Sequence, residues 1–360
     1  MFVIIGRSNK KFRLLLLRLM PAQNLISTTQ RIQHSPHYQQ GAFQNEEPTT
    51  VMLKGKFLKT LNEFFHRPKQ AVPQQPLPTV KTNLKTIRDN QPCIVWFGHS
   101  SYLIRYKDFT ILVDPLIQSH ASPVAFFGKP FPGTDIFQVA DLPDIDLLLI
   151  THDHYDHLSF RVIQALHHRV KAVCTSLGVG SILQKWGVPA EKITELDWDE
   201  TYRVNEKVQL TAQSARHFSG RTLRRNQTLW SAFVLQLHNY RLFVGGDSGY
   251  GKHFKTIGSQ FGTFDIAFLE CGQYGDNWPL IHMRPEETAQ AAIDLQAKVL
   301  LPVHWAKFEL SVHLWNEPPE RLLNSPQAAN LQIATPKIGE PFWLGEALPQ
   351  ERWWRAVERS

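Results

Sequence analysis

A chain of 360 residues with 42% hydrophobic and 11% aromatic content can bury a large core, which excludes a disordered protein and fits one large domain, alone or with an extension. The net charge of +7 is unevenly placed: residues 1–90 hold 14 Lys+Arg against 4 Asp+Glu, so the other 270 hold 25 against 28, a net of −3. That balance argues against a nucleic-acid groove in the main domain, and the three scattered cysteines Cys93, Cys174 and Cys271 build neither a disulfide framework nor a thiolate zinc knuckle.

The N-terminus runs Lys10-Lys11-Phe12-Arg13 into Leu14–Leu17 and then Arg18, an apolar stretch too short to span a bilayer. A ragged terminus, an export signal without a small-residue cleavage site, and a basic segment lying on an anionic membrane all fit it. Cysteine usage favours a reducing, cytoplasmic setting. Residues 21–50 are polar without periodicity. Leu53, Phe57, Leu61 and Phe65 recur at helical spacing, and 68–80, with Pro68, Pro73, Pro76 and Pro78, predicts an extended linker. Residues 1–91 are thus expected to form a basic, partly docked extension, and 92–360 the catalytic domain.

Within that domain Cys93–Phe97 and Tyr102–Tyr106 predict a strand pair around Gly98-His99-Ser100-Ser101, with Thr110–Val113 following. Asp146–Thr151 has the unbroken apolar character of a buried strand, and Ser159 can cap a helix containing Val162, Ile163 and Leu166. Further strands are expected at Val208–Ala212, Ala232–Leu237, Arg241–Val244, Asp265–Leu269 and Lys298–Val303, and a helix from Pro285 to Ala297. Such an alternation implies an α/β fold of two packed sheets covered by helices.

The chemistry concentrates in Thr151-His152-Asp153-His154-Tyr155-Asp156-His157, directly after the buried strand. Residues two apart on an extended chain face one way, so His152 and His154 can share a metal while the following turn swings Asp156 and His157 toward another. A polar surface loop is the bland alternative, and it leaves three imidazoles and two carboxylates in six residues unexplained. Later in the chain stand His217, Asp247 beside glycines, and His304, each at the end of an apolar run. Taken singly, each reads as an ordinary core, turn or surface residue.

Together these residues resemble the metallo-β-lactamase superfamily, whose signature is His-x-His-x-Asp-His after such a strand. The resemblance implies a four-layer αββα sandwich and a binuclear centre. His152, His154 and His217 would hold one metal, Asp156, His157 and His304 the other, with Asp247 bridging. Ligand separations of 65, 30 and 57 residues leave no room for the inserted domain of this fold's nucleases, and the 56 residues after His304 are too few for an appended flavin domain.

Further motifs resemble the N-acylphosphatidylethanolamine-hydrolysing phospholipase D family and its bacterial relatives, from about residue 35 onward. They are Trp96-Phe97-Gly98-His99-Ser100-Ser101, Asp114-Pro115, Ala121-Ser122-Pro123, Glu195-Leu196-Asp197-Trp198, Gly245-Gly246-Asp247-Ser248-Gly249-Tyr250, Gln273-Tyr274 and His282-Met283-Arg284-Pro285-Glu286-Glu287. Asp153 and the peptide around Cys271-Gly272-Gln273 depart from the mammalian member, so head-group and acyl specificity stay open. The resemblance implies two divalent cations, zinc by default with iron or manganese compatible, activating a bridging hydroxide against a phosphodiester. It also makes Asp156 and Asp247 part of the catalytic centre, His282 an acid or phosphate-binding group, and Gln273 and Tyr274 substrate contacts. His99 and Asp114 would orient the ligands. For His282 a helix cap packed on Trp278 is the competing reading.

Trp353-Trp354-Arg355 and the Leu53–Phe65 helix offer surface for peripheral membrane contact, although core packing or a homodimer interface is the commoner fate of such residues. A phospholipid or other phosphodiester is the expected partner, and no nucleic acid. A lactonase or other ester hydrolase on the same centre is the alternative, with a non-catalytic binding protein third.

Overall fold

The computed structural model describes residues 27–124, 127–222 and 224–358, so the Lys10–Arg18 segment lies outside the described residues. A short hairpin, β1 (Tyr38–Gln39) and β2 (Ala42–Phe43), precedes the main strands. The first seven-stranded sheet contains β3 (Cys93–Trp96), β4 (Tyr102–Tyr106), β5 (Phe109–Val113), β6 (Ile145–Ile150), β7 (Val170–Ser176) and β8 (Ile193–Leu196). The second contains β9 (Thr201–Asn205), β10 (Val208–Gln213), β11 (Ala232–Leu237), β12 (Tyr240–Val244), β13 (Ile266–Glu270), β14 (Val299–Val303) and β15 (Gln332–Ile333). Strand β16 (Pro341–Trp343) returns to the first sheet and pairs antiparallel with β3.

Each sheet is part antiparallel and part parallel: β5 to β8 run parallel in one, β12 to β15 in the other. Parallel strands send their carboxyl ends to a common edge, where loops from several strands can meet. The inner faces share one core, in which Trp96, Tyr102, Leu147 and Leu149 meet Phe233, Leu235, Phe268 and Leu301. Outside the first sheet Val162, Ile163 and Leu166 of the Phe160–Leu166 helix pack on Leu148 and Ile150. Outside the second, Phe254 and Ile257 of the His253–Phe261 helix pack with Ala289 and Ala292 of the Pro285–Asp294 helix. The result is the four-layer αββα sandwich.

Several details depart from expectation. The Pro285 helix ends at Asp294, three residues before the expected Ala297, which forms an isolated bridge to Phe264 instead. The N-terminal amphipathic helix starts at Phe57 and covers only Phe57–Phe65. Residues 68–80 lie against the sandwich: Leu77 is buried in the inner core and Thr79 bridges to Ile338. All three cysteines are free and buried. Of the two fates open to Trp353 and Trp354, membrane contact and the commoner core packing, they take the second: they are 1% and 0% exposed and pack on Trp305. Stacking two indoles there gains more from burial than an interface would return. No helix among the described residues is long and apolar enough to cross a membrane.

Lys307 follows β14 and is buried. Its Nζ donates to Phe97 O at 3.1 Å and Leu116 O at 2.7 Å, and lies 3.6 Å from Asp135. Burial, opposed by Asp135, lowers its pKa from the usual 10.5 to about 8. Between those two values the unfolded chain binds a proton that the folded chain has lost, so this group's contribution to stability grows as pH rises through that window and is lost below it. Lys307→Met leaves two carbonyls unpaired and lacks that slope. Its melting temperature is expected below wild type, with the deficit widening from about pH 7 to about pH 9.5.

Candidate metal centre

Six loops deliver the polar residues, and the local backbone explains how. After β6, Thr151 hydrogen-bonds Asp114 twice, through N at 2.9 Å and Oγ1 at 2.7 Å, which anchors the start of the histidine loop. After β12, Gly246 takes φ +60°, and a Cβ there would lie 3.1 Å from Ser231 O and from Thr151 Cβ, so glycine lets Asp247 come close beneath the loop. His99, Asp114 and His304 hold left-handed φ values of 53°, 39° and 68°. Each such conformation costs about 1–3 kcal/mol, a cost borne where a side chain must be aimed. His99 and His304 are tied across the two sheets, His304 N donating to His99 O and His99 N to Trp305 O, both at 2.9 Å.

Three groups of donors result, each with one ligand atom per residue within 4.8 Å of the others, and Asp247, Glu270, His282 and His304 form one of them. The other two are His152, His154, His217 and Asp247, and His99, Asp156, His157 and His304. Asp247 Oδ2 lies between them, 3.2 Å from His157 Nε2, 3.1 Å from His304 Nε2, 3.7 Å from His217 Nε2 and 3.9 Å from His152 Nε2. The residues expected at either metal are therefore brought together, with Asp247 positioned between the groups. His99, expected to orient ligands, stands in the second group itself, its Nε2 3.0 Å from Asp156 Oδ2.

The ring tautomers follow from outward contacts. His157 Nδ1 donates to Asp114 Oδ2 at 2.8 Å, and His217 Nδ1 donates to Ile281 O at 2.9 Å. Thr151 spends its hydroxyl proton on Asp114, so His152 Nδ1 donates to Thr151 Oγ1 at 3.0 Å. Each of these rings keeps an Nε2 lone pair facing inward, the state that metal ligation requires. His152 Nε2 and His217 Nε2 both approach His154 Nδ1, at 2.9 and 3.2 Å.

The nitrogen His157 Nε2, His304 Nε2 and the oxygen Asp247 Oδ1 are buried without a hydrogen-bond partner. Orphaned polar atoms this deep are costly, and a cation between them satisfies all three, so the residues fit a metal pair. Without cations, protons take their place. Burial opposes charge on His304, but Asp247 and Asp156 outweigh it and push its pKa up to about 10. His157 is raised in the same way. Burial pushes His154 and His217 down to about 3, and His152 well below its ordinary value.

The donors floor a cavity of about 310 Å³. Its walls are largely apolar, including Met52, Phe64, Phe218, Trp278 and Leu310, with Arg225 contributing a cation. A wider groove of about 920 Å³ around Lys252 and Lys255 holds none of the donors, and its Arg216 is engaged by Thr49, Pro48 and Tyr250. His282 lines the cavity, its Nδ1 2.6 Å from Glu270 Oε2; the cap of the following helix is Arg284. Gln273 also lines it, but its side chain bonds Phe308 O and Leu310 N and braces the wall. Tyr274, expected to touch substrate, is not among the lining residues; its hydroxyl donates to Glu317 at 2.6 Å, beneath the guanidinium of Arg321. That half-buried acceptor is itself ion-paired with Arg321 at 3.0 Å.

Three contributors were missed in the sequence. Glu270 ends β13 among apolar neighbours, where a lone acid reads as a strand terminus. Asn45 exchanges hydrogen bonds with the His217 backbone, Nδ2 to O at 2.7 Å and N to Oδ1 at 3.0 Å. Arg221 lies 3.8 Å over the Tyr155 ring and donates to Asp153 O and Leu158 O at 2.7 Å, clamping the histidine loop. Asp153 faces away from the donors, accepting from Gly220 N at 2.8 Å.

The β-lactamase superfamily domain matches residues 110–305. An uncharacterised protein of Mycobacterium tuberculosis is 37% identical over 329 residues, covering 90% of this chain and 88% of its own. The mitochondrial N-acyl-phosphatidylethanolamine-hydrolyzing phospholipase D of Saccharomyces cerevisiae is 34% identical over 242 residues, which span 63% of this chain and 50% of the yeast protein. Among solved structures, the metallo hydrolase Igni18 of Ignicoccus hospitalis is similar in fold, with a TM-score of 0.54 at 17% identity, covering 71% of this chain and all of that one.

Two variants test the centre. Asp114→Asn weakens the orientation of His157 and is expected to lower metal affinity roughly 10–100-fold by competition with a chelator. Gly272→Ala would place a Cβ 2.3 Å from His304 O; it is expected to cut the metal content found by elemental analysis while leaving the circular dichroism spectrum intact.

Proposed function

The chain belongs to the metallo-β-lactamase superfamily of metal-dependent hydrolases, and from that premise we propose that it is a phosphoric diester hydrolase of phospholipase D type, acting on N-acylphosphatidylethanolamine-like phospholipids. The observation that carries this reading is the convergence of the donor groups around Asp247 on the floor of a largely apolar cavity. The yeast and Caenorhabditis elegans relatives named for that activity support it, at 34% and 27% identity.

When bound, a pair of divalent cations, zinc or else iron or manganese, supplies a nucleophile at neutral pH and neutralises charge at phosphorus. His152, His154, His217, Asp156, His157 and His304 would hold them, with Asp247 between. The residues around them do the rest. Met52, Phe64, Phe218 and Leu310 exclude water and accept acyl chain. Arg225 would balance phosphate charge, and His282, which lines the cavity, would serve as an acid or phosphate-binding group. The products would be a phosphatidic-acid-type lipid and an N-acylethanolamine.

Delivery of such a substrate fits the Phe57–Phe65 helix, where Phe57, Leu58, Leu61 and Phe65 are 65%, 75%, 44% and 78% exposed. Its other face supplies Thr60 and Phe64 to the cavity; Lys54 and Lys56 precede it, and Lys59 lies within it, 3.4 Å from Glu63. An apolar face with lysines beside it, next to a largely apolar cavity, suits an anionic membrane surface.

The decisive assay sets N-acylated phosphatidylethanolamine vesicles and a soluble aryl phosphodiester beside a lactone panel, with the metal content measured in parallel. Phosphodiester turnover that Asp247→Ala reduces to background, in a variant that stays folded, is expected. Turnover of lactones alone would replace this reading with the ester-hydrolase one. The triple change Phe57→Ser, Leu58→Ser and Phe65→Ser is expected to lower the vesicle rate at least about tenfold while sparing the soluble diester.

A further inference from the structure

The cavity floored by the donors is completed by a second part of the chain: Val51, Met52, Thr60 and Phe64 line it from the segment that precedes the sandwich. That segment is fixed in place. Leu53 N donates to Asn277 O at 2.8 Å, Asn277 Nδ2 donates to Glu63 Oε2 at 2.7 Å, and Arg67 Nε lies 2.6 Å from Glu309. Asn277 is itself buried and precedes Trp278 of the cavity wall. The Phe57–Phe65 helix is therefore tied down around both ends, and the side chains it lends to the cavity stand at set positions.

One of those side chains is polar. Thr60 is 8% exposed, and its Oγ1 is buried with no hydrogen-bond partner among the described residues. A threonine in a helix can return its hydroxyl to the carbonyl four residues earlier. Here Lys56 O accepts Thr60 N at 2.8 Å and receives nothing from the hydroxyl. A bridging water needs two or more polar partners, and Val51, Met52 and Phe64 offer no strong one from their side chains. A hydroxyl left unpaired in such a wall is costly, and an acceptor carried by a ligand would offset that cost.

We propose that Thr60 is a specificity-determining residue whose hydroxyl donates to an acyl carbonyl oxygen of the substrate, an inference that rests on the phospholipase reading. An acylated phospholipid carries acceptors of two kinds, phosphate oxygens and acyl carbonyls. The phosphate belongs with the donor groups on the floor. Hydrocarbon has no acceptor at all, so the carbonyl that begins a chain is the group left for a lone hydroxyl in an apolar wall. The head-group amide and the glycerol esters both offer that oxygen. In the free protein the hydroxyl is unpaired and with substrate it is paired, so it favours acylated lipids over diesters of the same charge that lack the carbonyl.

Thr60→Val keeps the shape of the side chain and removes the hydroxyl, so stability and selectivity separate a ligand-facing role from a structural one. Loss of a hydroxyl that holds the fold lowers the melting temperature; loss of an unpaired one leaves it equal or higher, which is the expected result. On detergent-dispersed N-acylated phosphatidylethanolamine, kcat/KM divided by that for a soluble aryl phosphodiester is expected to fall about 3- to 10-fold, with Thr60→Ser close to wild type. Two analogues then identify the oxygen. If the amide is the partner, the difference between wild type and Thr60→Val disappears on a phosphatidylalkanol of equal head-group length; if an ester is the partner, it disappears on a lipid whose glycerol chains are ether-linked. A lowered melting temperature, an unchanged ratio, or a loss that persists on both analogues would each overturn the role of Thr60 while leaving the phospholipase reading intact. A wild-type protein that cleaves no phosphodiester overturns that reading and this inference with it.

Discussion

At the centre of the molecule a carboxylate is held almost entirely out of water. Asp247 is 3% exposed, and its pKa lies well below the ordinary value although burial alone would raise it. Only the positive charge beside it can account for that, supplied by His157 and His304 as protons or, in their stead, by metal. The remaining features answer this demand. Strand ends from both sheets converge so that imidazoles can surround one oxygen, and left-handed residues aim them. Removing any of those partners leaves a buried charge uncompensated, a larger penalty than the loss of one contact.

The same demand explains the outward-facing hydrogen bonds. An imidazole can meet a buried cation only through a lone pair, so its other nitrogen must give its proton away. Asp114, Thr151 and the Ile281 carbonyl receive those protons from different directions. The supporting groups come from segments remote in sequence. Asn45 comes from the extension before the sandwich, and it grips the backbone of His217 more than a hundred residues later. The segment thus belongs structurally to the centre that it precedes.

Much of this was legible in the amino-acid order, for a physical reason. The donors His152 to His157 are contiguous and follow an apolar strand, so spacing alone states their geometry. His217, Asp247 and His304 become legible only as a set. Glu270, Asn45 and Arg221 were invisible because each is a single polar residue whose significance depends on what folds against it. Composition left Trp353-Trp354 open, since aromatic and basic residues look alike in an interface and in a core, and at Tyr274, where the resemblance implied a substrate contact, the acceptor Glu317 lies beyond any local pattern. Most central strands were readable from their apolar runs; β9, with alternating half-buried and exposed residues, and the two- or three-residue edge strands β15 and β16 carry too little signal.

The buried indoles have a consequence in time. Trp305, next to His304, is stacked by Trp353 at 5.5 Å and met edge-on by Trp354 at 5.4 Å. During synthesis every candidate ligand has therefore been made before the wall behind the last one exists. A nascent chain thus carries a full complement of imidazoles while the support behind His304 is still unfinished, and that support is complete only once the two tryptophans have been made and packed.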